Sequence, residues 1–164
     1  MIALLLILIP VFGGLIGFLL QHESKSKTWA LLVSSASLLV MAYGMLGGLT
    51  TAETAYDAPW LGQLGASFSL KMDGISAVLC LLTVISYPLI LLSTWNNSYN
   101  HPAAFYALLL LAQAGIMGVF LTYDGLLFYF FWELALIPVY FLSSICGGAR
   151  RIAVTFKFFI YTFI

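Results

Sequence analysis

Long apolar runs alternate with short polar ones along this chain, and the lengths of the apolar runs decide the architecture. A bilayer core about 30 Å thick takes roughly 20 apolar residues in helix. Cut against that length, the sequence predicts helices over about 2–20, 29–49, 75–92, 103–121 and 126–145, with an incomplete one over 152–164. The first, IALLLILIPVFGGLIGFLL, ends at the polar stretch QHESKSK. It lacks a basic start and a small-residue cleavage site, so it reads as a retained helix and not as a cleaved leader. The second carries Ser34, Ser35, Ser37, Gly44, Gly47 and Gly48, a small-residue face that lets a neighbouring helix approach closely. The longest polar connection, TTAETAYDAPWLGQLGASFSLKMDG, follows it, and STWNNSYNHP joins the third and fourth helices. Tyr123-Asp124-Gly125 makes a tight turn into the fifth, which Gly147-Gly148 closes, since glycine accepts the left-handed backbone of a helix end. The last segment, IAVTFKFFIYTFI, reaches only about 20 Å at 1.5 Å per residue, so the sequence stops inside a membrane helix.

Composition agrees with this pattern. Hydrophobic residues make up 63% of the 164 and charged residues 7%, and the mean hydropathy is +1.08. No water-facing surface can be built from so little charge. The expected fold is therefore all-α and integral to the membrane, one transmembrane region over 1–164. Six basic residues balance six acidic ones, which leaves no basic face for nucleic acid. Cys80 and Cys146 stand alone in apolar surroundings and read as small buried hydrophobes. The basic residues orient the chain: with the N-terminus outside, cytoplasmic loops hold Lys25, Lys27, Arg150 and Arg151, and outer loops hold Lys71.

Within this apolar sequence the stretch FYFFWELALIPVYF places Glu133 in the fifth helix, some 12 Å along it from Gly125. A glutamate at that depth is too short to reach the interface, and its charge is costly there, so it faces the protein interior and takes up a partner or water. Pro138 has no N–H and leaves the Leu134 carbonyl without its helical donor, one residue from Glu133. Tyr129 and Tyr140, at i−4 and i+7, fall on the Glu133 face. The competing reading is that Glu133 only locks helix packing through a basic partner, for which Lys157 is the membrane-depth candidate. Lys157 lies about 9 Å beyond Arg151 along its helix. Two readings stand for it: the long stem snorkels to the cytoplasmic surface, or the ammonium faces inward, in a proton path or against Glu133.

Asp73 and Asp124 precede helices and read as N-caps. His22 and His101 fall in cytoplasmic loops as solvated histidines. Trp29, Trp60 and Trp95 sit at or near span ends as interfacial anchors, whereas Trp132 lies deeper and packs.

FYFFWELALIPVYFL resembles the fifth-helix signature of NADH–quinone oxidoreductase subunit M (chain 4), one of the antiporter-like subunits of respiratory complex I. LILIPVFGGLIG, WLGQLGASFSLKMDGIS and TFKFFIYT are similar to further blocks of that family. The resemblance implies a proton-translocating membrane subunit in which Glu133 transfers protons, with a lysine of a seventh helix and residues of later helices completing the route. Those later residues are not in this sequence. It also implies that NADH, FMN, iron–sulfur clusters and quinone belong to partner subunits and not to this chain, which shows no dinucleotide turn, cysteine cluster or haem motif. The expected partners are the other membrane and peripheral subunits of complex I and the lipid bilayer, in a bacterial inner membrane. Two alternatives remain open. One is an antiporter-like subunit of a cation/proton antiporter or membrane-bound hydrogenase, and the other is a small structural or assembly membrane protein.

Overall fold

The computed structural model describes residues 1–20, 22–47, 55–61, 63, 65–99, 101–146 and 151–163. The helix end expected at Gly147-Gly148, Gly48 of the small-residue face, and Arg150 lie outside these residues. Six helices and one hairpin are described: α1 (Ile2–Gly17), α2 (Glu23–Leu46), β1 (Tyr56–Leu61), β2 (Ala66–Leu70), α3 (Gly74–Ser93), α4 (Pro102–Leu121), α5 (Gly125–Cys146) and α6 (Arg151–Phe163). Four of the helices, α2 to α5, are long and apolar enough to cross a membrane.

Two boundaries differ from the sequence reading, each for a local reason. α1 stops at Gly17, and Leu19 N–H and Leu20 N–H then bond to Ile16 and Gly17 carbonyls at 3.0 and 3.2 Å, the tight last turn of a closing helix. Its 16 residues are fewer than the span expected over 2–20. α2 begins six residues earlier than Trp29, taking in the polar stretch. Glu23 and Lys27 form an i,i+4 ion pair of 2.6 Å on its first turns, the arrangement that supports a helix start exposed to water. Ser26 Oγ adds a bond of 2.7 Å to the Leu20 carbonyl, tying the start of α2 to the end of α1.

The third difference is a hairpin inside the long polar connection. β1 and β2 pair antiparallel, Tyr56 against Leu70 and Ala58 against Phe68, with a bulge between Pro59 and Leu61. Gly65 turns the chain at φ +67°, a left-handed conformation that glycine takes without a Cβ clash. The hairpin is bound to the helix ends: Lys71 N–H donates to the Leu121 carbonyl at 2.8 Å and Tyr123 N–H to the Ser69 carbonyl at 3.0 Å.

Among the helices, α4 is the most deeply buried, between α1, α2, α3 and α5. Trp29 of α2 donates its indole N–H to the Gly13 carbonyl of α1 at 2.9 Å, joining the later part of α1 to the early turns of α2. Two apolar clusters make the core. One, at the hairpin end, holds Met41, Cys80, Val84, Met117 and Leu121 with α1 side chains; the other, at the opposite end, holds Ala30, Val33, Leu91, Phe105, Tyr106 and Leu110. Cys80 is fully buried, as a small hydrophobe would be. The apolar side chains that face outward, such as Phe12, Leu39, Leu82 and Phe128, cover a surface suited to lipid or to neighbouring protein and not to water.

Candidate functional site

The turn that carries Glu133 is set by contact between α4 and α5. A Cβ on Gly115 would stand 2.6 Å from the Ala135 Cα and 2.7 Å from its nitrogen, and one on Gly118 would collide with the Phe131 ring. Only glycines permit the two backbones to come this close. Phe131 and Ala135, one turn apart, thus face α4 and fix the rotation of α5. Glu133 lies about 200° around the helix from each, at 100° per residue, and so points away from α4.

There the carboxylate is partly buried. The Tyr129 hydroxyl, one turn earlier, donates a hydrogen bond to it. Its Oε1 is buried and has no hydrogen-bond partner among the described residues. An orphan carboxylate oxygen at membrane depth is an acceptor held ready for a proton, a water or a further donor.

Tyr140, expected on the same face, behaves differently. Its ring packs edge-on against Phe159 of α6, with centroids 5.7 Å apart, and it makes no hydrogen bond to Glu133 among the described residues. Ile137, Tyr140, Phe156 and Phe159 line a groove of about 300 Å³ between α5 and α6. Pro138, buried within α5, lies instead on the side that meets Leu108 and Leu111 of α4. Lys157 is exposed, about 200° around α6 from the buried Thr155. No salt bridge joins it to Glu133 among the described residues. Trp132, expected to pack, is 40% exposed; it stacks on Phe128 and lines a groove with Ile116, Val119 and Phe120 of α4.

At the hairpin end two carboxylates organise the entrances to α3 and α5. Asp73 accepts from Ser76 N–H at 2.7 Å through Oδ1 and from the Tyr123 hydroxyl at 2.7 Å through Oδ2. Asp124 accepts from Leu126 and Leu127 N–H at 2.9 and 3.1 Å through Oδ1, and from Ser67 N–H of the hairpin at 3.0 Å through Oδ2. Both are N-caps. The Ser76 amide and then Tyr123 hold the Asp73 carboxyl below the usual range; the Ser67 amide and then Leu127 do the same for Asp124. At the other end, Lys27 donates to the Trp95 carbonyl at 2.9 Å and Ser98 Oγ to Glu23 at 3.3 Å. His22 and His101 are both exposed.

Ser34 and Gln113 are also wholly buried at membrane depth and lack hydrogen-bond partners among the described residues. The sequence reading gives Ser34 a packing role and assigns nothing to Gln113, although one glutamine inside LLLLAQAGIMG is a visible signal.

No family model matches the chain. It is 37% identical, over 98% of its length, to F(420)H(2) dehydrogenase subunit M of Methanosarcina mazei, covering 33% of that protein. It is 33% identical, over 96% of its length, to NADH-quinone oxidoreductase subunit M of Escherichia coli strain K12, covering 34%. Against NAD(P)H-quinone oxidoreductase chain 4 2 of Microcystis aeruginosa the identity is 37%, over 96% of this chain and 29% of the relative. Among solved structures, a chain of respiratory complex I from Thermus thermophilus with bound NADH superposes at a TM-score of 0.85 and 28% identity, covering 99% of this chain and 33% of that one. A chain of the membrane-bound sulfane sulfur reductase, an archaeal respiratory membrane complex, shares the fold at a TM-score of 0.77 and 19% identity, over 96% of this chain and 24% of that one. The chain spans about a third of the length of the curated relatives named here. Over that third, the chain is similar to subunit M/chain 4 of the NADH–quinone oxidoreductases, and it shares the helical membrane fold of a complex I chain.

Proposed function

We propose that this chain is part of a proton-translocating membrane subunit of an NADH–quinone oxidoreductase, in which electron transfer in other subunits drives proton transport through the membrane. The supporting observation is Glu133: a carboxylate at membrane depth, its helix fixed against α4, bonded to Tyr129 and with Oε1 buried and unpartnered. A group in this position accepts a proton from one side and releases it to the other when its surroundings change, and a local hydroxyl orients it. The subunit acts in the translocase without a redox centre of its own. NADH, FMN, iron–sulfur clusters and quinone are assigned to partner subunits, with the bacterial inner membrane as the site of the complex and the N-terminus on the outer side. Lys157 is the second proton-path candidate, acting through movement of its long stem or through α6 itself, since it is not paired with Glu133 in this arrangement.

The 37% identity to an F(420)H(2) dehydrogenase subunit favours a second reading, in which the membrane step is the same and the electron donor differs. Purification of the native assembly separates the two. Flavin and iron–sulfur subunits that reduce quinone with NADH and acidify one side of the membrane are expected. NADH inactivity with F(420)H(2) activity establishes the second reading, and a chain that purifies without redox partners overturns both.

A further inference from the structure

On the opposite side of α4 from the Glu133 helix lies a buried polar layer. Gln113 stands roughly 16 Å along α4 from Pro102, Ser34 roughly 16 Å along α2 from Glu23, and Thr83 roughly 15 Å before Ser93 on α3, at 1.5 Å per residue. Those three reference points share one end of the bundle, where Lys27 and Glu23 bond to Trp95 and Ser98. The three side chains are therefore at one depth.

Helical spacing also brings them to one interior. Gln113 is one turn from Leu110 and one turn from Met117, which belong to the two separate apolar clusters. Ser34 lies between Ala30 of one cluster and Met41 of the other, and Thr83 between Leu91 and Cys80. The polar layer is thus bounded by apolar side chains above and below. Gly115 and Gly118, which meet α5, lie about 200° and 140° around α4 from Gln113, so the layer is separated from Glu133 by the α4–α5 contact.

Within it the hydrogen bonding is incomplete. Thr83 returns its hydroxyl to the Leu79 carbonyl at 2.9 Å. Gln113 is 0% exposed with both Nε2 and Oε1 unpartnered, and Ser34 is 0% exposed with Oγ unpartnered, among the described residues. A glutamine amide presents two donors and an acceptor, and a serine hydroxyl can do either. Leaving them all unmet in a low-dielectric interior is strongly unfavourable.

We infer that Gln113 and Ser34 form an internal hydration site, holding water between α2, α3 and α4, sealed from the membrane surfaces by the two apolar clusters. Water both donates and accepts, and needs two to four polar partners, which this layer supplies. A cation satisfies only the oxygens and leaves the Gln113 amide hydrogens without an acceptor, so the chemistry selects water.

The test is a high-resolution electron cryomicroscopy map of the full-length chain in its native assembly. A density peak is expected within about 2.7–3.2 Å of both a Gln113 side-chain atom and Ser34 Oγ. It should vanish in Gln113→Leu, or in Ser34→Ala if the first variant fails to assemble. A direct Gln113–Ser34 bond with no intervening peak overturns the inference, and so does a peak ringed by oxygens at metal-like distances. Sealing has its own readout: Ser34→Ala leaves the number of protons moved per electron unchanged, and a fall in that number contradicts the separation from the Glu133 path. Density at Gln113 is read independently of whether Glu133 carries protons, so the two proposals fail separately.

Discussion

Glu133 and Tyr129 form a pair whose function depends on one hydroxyl. Tyr129→Phe keeps the ring and removes the bond to the carboxylate, so NADH-driven proton transport should slow about tenfold, as for the loss of roughly 1.4 kcal/mol; unchanged transport would remove Tyr129 from the path. This pair was legible in the sequence because i−4 spacing is a property of the helix alone. Tyr140 was not, since its ring is turned by Phe159 of another helix. Trp132 packs only in part, stacked on Phe128 beside Ile116 and Val119, because apolar neighbours in sequence do not tell which side of a membrane helix meets protein. The caps Asp73 and Asp124 were readable from position, but the bond from Ser67 to Asp124 depends on a hairpin. Both carboxyls are held below their usual range in the fold, so their stabilising effect is complete above the unfolded value near pH 4 and is lost as pH falls through the folded value. Thermal unfolding of the detergent-solubilised assembly should show that acid-side loss, and Asp124→Asn should reduce it; an identical profile in the variant would deny the Asp124 bonds their role.

At the scale of elements, the polar connection before α3 carries the pattern of a strand within its loop-like composition. ASFSL alternates apolar Ala66, Phe68 and Leu70 with Ser67 and Ser69, the period of a strand, and Gly65 supplies the turn. Its length and polarity described a loop, while the backbone bonds from Lys71 and Tyr123 to the opposite partners show what the hairpin does: it ties the α4–α5 turn to the start of α3. The start of α2 is not legible from the apolar run alone, because charge ends that run while the Glu23–Lys27 pair lets the helix continue into water. The α4–α5 contact gives an element-scale prediction. Gly115→Leu places atoms where Ala135 backbone stands, and overpacking of this kind costs about 1–3 kcal/mol. The variant should unfold at lower temperature and lose proton transport in parallel, because rotation of α5 displaces Glu133. A variant of native stability would show the contact to be loose.

For the whole molecule, the apolar lengths and sparse charge were enough to give a mostly helical membrane chain, with the hairpin as the exception, and the shared fold with a complex I chain agrees. What they did not give is the inward arrangement, with α4 enclosed and α5 mostly outward, since α4 and α5 are apolar on nearly every side and periodicity cannot assign their faces. The orientation we propose rests on the basic residues and is open to labelling. In a background with Cys80 and Cys146 replaced by alanine, Asn96→Cys should react with an impermeant thiol reagent from the cytoplasmic side and Asp57→Cys from the outer side. Both positions are exposed, at opposite ends of α3. The reverse pattern would invert the chain.

The decisive measurement is the number of protons moved per electron in the assembled, full-length oxidoreductase carrying Glu133→Gln, reconstituted in vesicles and driven by NADH. Glutamine keeps the size and polarity of the side chain and removes the titratable proton. We expect the variant to assemble, with proton transport per electron clearly reduced; wild-type stoichiometry would contradict a proton-carrying role for Glu133.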